Sequence, residues 1–299
     1  MRASVSPSSE QPQPESCVSA LRKDVVAGLI NAVVSVPDGL ASAALAGVNP
    51  VYGLYTSIAA PIGGSLLVSA QLMQIATTSA SALAARQAIA SYPEEQRGQA
   101  LFLLVVLVGV MLAIFGLLRL GRLVRFVSHA VMTGFLIGVA VVLIMDQLAP
   151  LVGFSPRPGN EVVQLADLLS HPAQFNLPTI ITGLLALGIM AGLGHTRLAT
   201  LSSLVALVVP SLMVALLGWE SVQRVVDVSP IPRGVPTPAL PDLTLLSPDL
   251  ILAAMALAVV IAVQGAGVSQ SVDNPDDSPV SASRDMIAQG VGNVVSGLL

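Results

Sequence analysis

A short polar stretch interrupts a very apolar sequence. Residues 73–90 read MQIATTSASALAARQAIA, and amide or hydroxyl side chains crowd its first half: Gln74, Thr77, Thr78, Ser79 and Ser81. If a helix begins near Ser79, the N–H groups of Ser79, Ala80 and Ser81 have no partner within that helix, and its end carries about half a positive charge. Such an end binds an anion without a cationic side chain. The alternative is a longer helix whose hydroxyls bond to carbonyl oxygens one turn back.

Two further polar side chains lie inside apolar segments. Asp38 follows Pro37 in VVSVPDGLASAALAG, and Gln264 lies in VVIAVQGAGVSQSV. A carboxylate at the centre of a membrane helix costs about 2.5–3.5 kcal/mol on insertion scales, so we expect Asp38 to face a cavity or to be protonated. The alternative is a structural carboxyl that bonds to backbone groups freed by Pro37. The Gln264 amide is able to donate to an anion, and equally able to bridge two helices.

The sequence lacks the motifs of common enzymes and metal sites. It contains no HExxH, GxSxG or Walker motif, and its single cysteine, Cys17, forms neither an internal disulfide nor a CxxC site. The acidic loop DNPDDSP at 273–279 lacks the glycine and the terminal glutamate of an EF-hand, and we interpret it as a solvated turn. We therefore expect no enzymatic activity, no metal site and no cofactor.

The candidate residues have to be positioned by membrane-spanning helices. The chain is 54% hydrophobic and only 10% charged, whereas a soluble domain carries about a quarter charged residues. The apolar runs are continuous rather than alternating, which indicates helices and not barrel strands. The sequence thus predicts an all-α polytopic membrane protein, with nine spans at about 25–46, 51–70, 73–90, 99–118, 126–148, 177–194, 199–218, 248–270 and 283–299.

The distribution of charge predicts an orientation. Basic residues flank the spans on one side of the membrane: Arg22, Lys23, Arg119, Arg122, Arg125 and Arg197. The loops on the other side (91–98, 149–176 and 219–247) are mostly acidic, and the last is predicted to be an extended external strap. The positive-inside rule then places the N-terminus in the cytoplasm. Residues 1–20 are rich in Pro and Ser and are predicted to be a disordered tail, which leaves 21–299 as a multi-pass transmembrane domain in the plasma membrane.

Three motifs resemble one transporter family. VPDGLASAALAGVNPVYGLYTS (36–57) resembles the signature of the SulP anion transporters, the family of sulfate permeases and bicarbonate transporters. FVSHAVMTGFLIGVAVVLIMDQL (126–148) resembles the start of the family's fifth span, and SRDMIAQGVGNVVSGLL (283–299) resembles its ninth-span motif. The three motifs occur in the family's order and extend over the membrane part of the chain.

The resemblance implies a fold of two inverted repeats with seven spans each. Spans one to four and eight to eleven form a core, and the remaining spans form a gate. Spans three and ten are half-helices that face each other across the anion. The chain therefore corresponds to the first repeat and the start of the second, and we expect it to be a fragment of a longer protein, without span ten or the family's STAS domain.

The resemblance also implies a site and a function. Ser79, Ala80 and Ser81 are expected to cap the first half of the anion site, with Asp38 and Ser42 beside them. Gln264 stands where many members carry an acid. The implied function is secondary active transport of small inorganic anions, of the sulfate or bicarbonate class, by alternating access. The expected partners are the anion and the lipid bilayer, with a homodimer as the implied assembly and no nucleic acid.

Two departures from the family pattern suggest how transport is coupled. Gln264 brings no charge, which weakens a sodium-coupled reading. Asp38 replaces the usual glutamine, and an ionised carboxylate there would repel the substrate, whereas a protonated one would donate a hydrogen bond to it. Our hypothesis is that the carboxyl has moved from span eight to span one, so that a proton and the anion enter together.

Three other interpretations stay open at this point. A nucleobase permease of the same architecture usually places acids in both spans eight and ten, and Gln264 argues against it. An inert, truncated remnant of a transporter would share the sequence motifs without the activity. A channel-like member is not distinguished from a carrier by these residues.

Overall fold

The computed structural model describes residues 17–124, 129–157, 161–196, 198–224, 238, 240–269 and 273–299. All regular structure in these residues is helical, which confirms the predicted fold class. The helices are α1 (Cys17–Leu45), α2 (Pro50–Ser65), α3 (Ser79–Ile89), α4 (Glu94–Leu117), α5 (Gly121–Val124), α6 (His129–Leu151), α7 (Glu161–Ser170), α8 (Leu177–Gly194), α9 (Ser202–Leu217), α10 (Pro248–Ser269) and α11 (Ala282–Gly297). Short 3-10 turns lie at Pro172–Gln174, Ala199–Leu201 and Leu243–Leu245.

Each of the nine predicted spans coincides with one helix, but several boundaries differ. The second span ends at Ser65 and the third begins at Ser79, so residues 66–78 are not helical. Loop 149–176 contains α7, which the sequence did not predict. Helix α1 begins at Cys17, so residues 17–20 of the predicted tail are helical. Residues 1–16, and 225–237 of the predicted strap, lie outside the described residues.

Four helical stretches of the described chain are long and apolar enough to cross a bilayer: Asp24–Leu45 within α1, α4, α8 and α10. By contrast α3 has 11 residues, and at 1.5 Å per residue it is about half as long as the ~30 Å hydrocarbon core is thick. A helix of that length begins or ends inside the bilayer. The third span is therefore a half-helix that begins at Ser79, which is the first of the two alternatives that the sequence left open.

Helices α1 and α2 cross at two glycines. A Cβ on Gly39 would lie 2.6 Å from the carbonyl oxygen of Gly53, and a Cβ on Gly53 would collide with the carbonyl oxygen of Gly39. Only residues without a side chain permit this approach. Helix α2 starts at Pro50, after Asn49, whose Oδ1 accepts from the Val51 N–H at 3.0 Å. This close contact holds the face of α1 that carries Ser42 against α2.

The helices form two bundles. In the first, α11 packs mainly on α4 and α2, and α10 packs on α4, α3 and α11. Its core is fully buried and includes Leu103, Leu112, Leu250 and Met286. Helices α6 to α9 pack mostly on one another, with a smaller cluster around Phe154. The first bundle thus holds spans one to four, eight and nine, which matches the core implied by the resemblance.

Candidate functional site

The segment before α3 is held in place by the start of α11. Asp285, 1% exposed, accepts hydrogen bonds at Oδ1 from the N–H of Ser69 (2.6 Å), the Ser69 hydroxyl (2.8 Å) and the N–H of Ala70 (3.3 Å). Arg284 Nε donates to the carbonyl oxygen of Leu67 at 2.8 Å. Non-helical backbone at membrane depth has to find such partners within the protein. Asp285 and Arg284 therefore make the interruption between α2 and α3 tolerable.

The acidic loop 273–279 completes this support. Asn274 is 4% exposed, accepts from the Gln71 N–H at 2.7 Å and donates to the Ser69 carbonyl oxygen at 2.9 Å. Asp276 is exposed and accepts from Gln71 Nε2 at 2.7 Å. Hydrogen bonds from the side chain and backbone of Ser278, and then from Gln71, lower the pKa of Asp276. The prediction of a solvated turn was wrong for Asn274, because the backbone at 69–71 requires buried partners.

The N-terminus of α3 is only partly capped. Thr78 is extended (φ −124°, ψ 141°) and acts as N-cap, and its Oγ1 accepts from the N–H of Ser81 at 3.3 Å. The Ala82 N–H donates to the carbonyl oxygen of Thr78 at 2.9 Å. Within the described chain, the N–H groups of Ser79 and Ala80 have no acceptor. Two backbone donors at the positive end of a helix are thus available for an anion.

A cavity of about 230 Å³ lies beside this helix end. Its described walls carry no charged side chain. They carry several hydroxyl and amide groups, from α1 and α2 (Ser42, Tyr52, Tyr55, Thr56), from α3 and the segment leading into it (Gln74, Thr77, Thr78, Ser81), and from α10 and α11 (Gln264, Gln289, Asn293, Ser296). Apolar walls with a few convergent polar groups are typical of small-ligand sites. This one offers neutral donors to a small, polar or anionic ligand.

The structure brings part of the predicted residue set together at this cavity. Ser42, Ser81 and Gln264 line it, on α1, α3 and α10. Ser79 and Ala80 form the first turn of α3 but are not among its lining residues. Asp38 is exposed on α1, one helical turn before Ser42, and does not line the cavity either. The role of each residue in binding stays a prediction.

The sequence interpretation missed the contribution of α11. Gln289, Asn293 and Ser296 all line the cavity, and they are spaced four and three residues apart. That spacing places them on one helical face, and it was the available signal. Their role was hidden among the small residues of AQGVGNVVSG, which suggest helix packing more than binding.

Comparison with known proteins decides the family. The sequence model of the sulfate permease family matches residues 21–299. This chain belongs to the sulfate permease family. The match covers both bundles from residue 21 onwards, and it confirms the resemblance carried by the three sequence motifs.

The most similar proteins of this family include transporters named for two anions. The chain is 28% identical over 284 residues to a putative sulfate transporter, YvdB, of Bacillus subtilis, covering 93% of this chain and 52% of that relative. It is 28% identical over 295 residues to the bicarbonate transporter BicA of Picosynechococcus, covering 93% of this chain and 50% of that relative. The chain thus spans about half the length of these sulfate permease relatives.

A solved structure shows the same fold. The transmembrane domain of a cyanobacterium bicarbonate transporter, BicA, superposes with a TM-score of 0.82 at 22% identity, covering 93% of this chain and 72% of that one. The helices of this sulfate permease member therefore follow the first part of a 7+7 inverted-repeat transporter. The family's named relatives are transporters, and at the level of the family this supports the expectation of no enzymatic activity.

Proposed function

We propose that this protein is a secondary active transporter of small inorganic anions, of the sulfate or bicarbonate class. The observation that carries the proposal is the start of α3, where two N–H groups without acceptors lie at a helix N-terminus beside a neutral polar cavity. The names of the relatives support both anions, one as a sulfate transporter and one as a bicarbonate transporter.

The proposed anion is held by dipoles rather than by a cation. The N–H groups of Ser79 and Ala80 point along the α3 dipole, and the hydroxyls of Ser42 and Ser81 and the amide of Gln264 add donors at the cavity wall. Ser81 Oγ at present donates to the Thr78 carbonyl oxygen at 2.9 Å, and a rotation of its hydroxyl would turn that donor to a ligand. Charge-assisted hydrogen bonds of this kind are roughly twice as strong as neutral ones.

The proposed transport cycle moves one bundle against the other. The bundle that contains the cavity touches the bundle of α6–α9 mainly through α1 with α9 and α3 with α6. A limited interface between two bundles suits a shift of one against the other, which exposes one site to each side of the membrane in turn. Entry of a proton at Asp38 together with the anion is part of this proposal.

The proposed setting is the plasma membrane, with the N-terminus in the cytoplasm and a homodimer as the assembly. Cys17 is the chain's one cysteine and lies at the start of α1. A membrane-impermeant thiol reagent should label it only from the cytoplasmic side. Labelling from outside intact cells would overturn the orientation.

Removal of one backbone donor tests the site directly. In Ser79→Pro, the proline lacks an N–H but fits the first position of a helix, and the extended Thr78 is the conformation preferred before proline. We expect the apparent KM for sulfate or bicarbonate uptake into proteoliposomes to rise about tenfold or more. The matched control Ser79→Ala keeps the N–H and should transport nearly normally. Equal KM values for the two variants would contradict an anion site at this helix end.

A further inference from the structure

Gln289 has a buried donor that the fold does not use. The residue lies in α11, is 5% exposed and lines the cavity. In the described chain its Nε2 has no hydrogen-bond partner and no contact with solvent. A buried amide NH₂ without an acceptor is destabilising, and such groups are rare in folded proteins. The side chain therefore lacks its acceptor in this conformation.

The neighbouring helix is shaped to hold this amide. A Cβ on Gly265 of α10 would lie 2.7 Å from Gln289 Cδ and would collide with Nε2. The amide thus packs against the α10 backbone at Gly265, and the preceding residue, Gln264, lines the same cavity. A leucine or methionine would fill this space as well as glutamine does. Packing against Gly265 explains the shape of the side chain but not its polar end.

Helix α11 also packs against the segment that leads into α3. Ile75 of that segment packs beside Gly292 of α11, where a Cβ would lie 3.3 Å from Ile75 Cγ2. Gly292 is three residues, or about one helical turn, beyond Gln289. Asn293 is already engaged, because its Nδ2 donates to the Gln289 carbonyl oxygen at 2.8 Å. Of these two α11 amides, Gln289 is the one whose NH₂ lacks an acceptor.

We propose that the Gln289 side-chain amide donates a hydrogen bond to an oxygen of the transported oxyanion, together with the N–H groups at the start of α3. This inference rests on the proposed transport function and adds a binding residue on α11 to it. The described cavity wall has no cation, so each neutral donor carries a substantial share of anion affinity. Because Nε2 has no accessible surface in this conformation, the amide has to turn from Gly265 towards the cavity, where the oxyanion then supplies the acceptor that the NH₂ lacks.

The test compares side chains of similar size in the full-length protein. Gln289→Leu removes the donor, Gln289→Met removes it with a more adaptable chain, and Gln289→Glu replaces it with an acceptor. Gln87→Leu and Gln87→Glu are matched controls, since Gln87 is exposed on α3 and does not line the cavity. Each variant is measured for uptake of radiolabelled sulfate and bicarbonate into proteoliposomes, and for thermal unfolding without anion.

We expect the Leu and Met variants at Gln289 to raise the apparent KM for the transported anion about tenfold or more. Their maximal rate should stay within about twofold of wild type. Their melting temperature should equal or exceed that of wild type, because an unpaired buried donor has been removed. Gln289→Glu should lower the uptake rate further, because the new carboxylate repels the anion. The Gln87 variants should match wild type.

The two proposals fail in different ways. If the wild-type protein takes up neither sulfate nor bicarbonate, the transport proposal and this inference fall together. If wild type transports one of them and the Leu and Met variants keep its KM, only the role of Gln289 is overturned. A lower melting temperature and lower rate with an unchanged KM would identify Gln289 as a structural residue, which also overturns it.

Discussion

Arg86 and Asp146 form an ion pair, with 2.9 Å between Arg86 Nη1 and Asp146 Oδ1. Arg86 lies in the last turn of α3 and Asp146 lies in α6, so the pair joins the cavity-bearing bundle to the bundle of α6–α9. The Asp146 side chain is 10% exposed and also accepts from Gln147 Nε2 at 3.2 Å. The half-helix is thus tied to the second bundle near its C-terminus, at the end opposite the N–H groups of Ser79 and Ala80.

The ion pair should influence the rate of transport more than the affinity for the anion. A shift of one bundle against the other would strain or break it, so its removal destabilises the present conformation relative to others. A partly exposed pair contributes about 0.2–1 kcal/mol, and we expect Arg86→Ala or Asp146→Ala to change the maximal uptake rate by up to about fivefold, with little change in KM.

An exchange of the two charges tests whether Arg86 and Asp146 act as a pair or independently. The double variant Arg86→Asp with Asp146→Arg should recover part of the wild-type rate in proteoliposomes. Single variants with wild-type rates, or a double variant no better than either single one, would argue against a coupling between the bundles at this point.

Asp285 should be essential for the stability of the first bundle. In Asp285→Ala, the N–H groups of Ser69 and Ala70 lose their acceptor in a buried place, which costs about 1–3 kcal/mol for each unpaired group. We expect a clear fall in the melting temperature in detergent. Asp285→Asn keeps an acceptor oxygen and should be milder. Asp273→Ala, at an exposed residue of the adjacent loop, is the control and should melt like wild type.

The start of the half-helix was predictable because its signal is local. The run of Thr and Ser before Ser79 provides an N-cap residue and breaks the apolar pattern, and the structure has Thr78 as the cap. The spans around it were predictable because continuous apolar runs of bilayer length have few alternatives. The end of α2 at Ser65 was missed, because residues 66–70 (LLVSA) are as apolar as the helix before them.

The burial of Gln289 and Asn274 could not be predicted from local sequence, because their environment is made by residues elsewhere in the chain. Gln289 is buried by Gly265, and Asn274 is buried by the backbone around Ser69, more than 200 residues earlier in the chain. The small residues around Gln289 are typical of helix packing, and the acidic residues around Asn274 are typical of a solvated turn. Only the three-dimensional packing shows which donors and acceptors are satisfied.

Gly53 should tolerate no side chain. In Gly53→Ala, the new Cβ would collide with the Gly39 carbonyl oxygen, so α1 and α2 would have to separate. We expect a lower melting temperature and a weaker apparent affinity for the anion, since Ser42 follows Gly39 on α1. Gly28→Ala is the matched control, because nothing lies within 4 Å of a Cβ at Gly28. That control should be neutral or slightly stabilising, as alanine favours a helix over glycine by up to about 1 kcal/mol.

Asp38 should couple uptake to protons if its neutral form admits the anion. The residue is exposed and lies one turn from Ser42 of the cavity wall, so it would act on an anion that enters or leaves rather than on one already bound. In the wild type, uptake should then increase as the external pH falls. Asp38→Asn mimics the neutral carboxyl, and it should transport at a rate that no longer varies with pH. Asp24→Asn, an exposed carboxyl earlier in α1, should keep the wild-type pH profile. If Asp38→Asn also keeps that profile, the proton enters by another group or not at all.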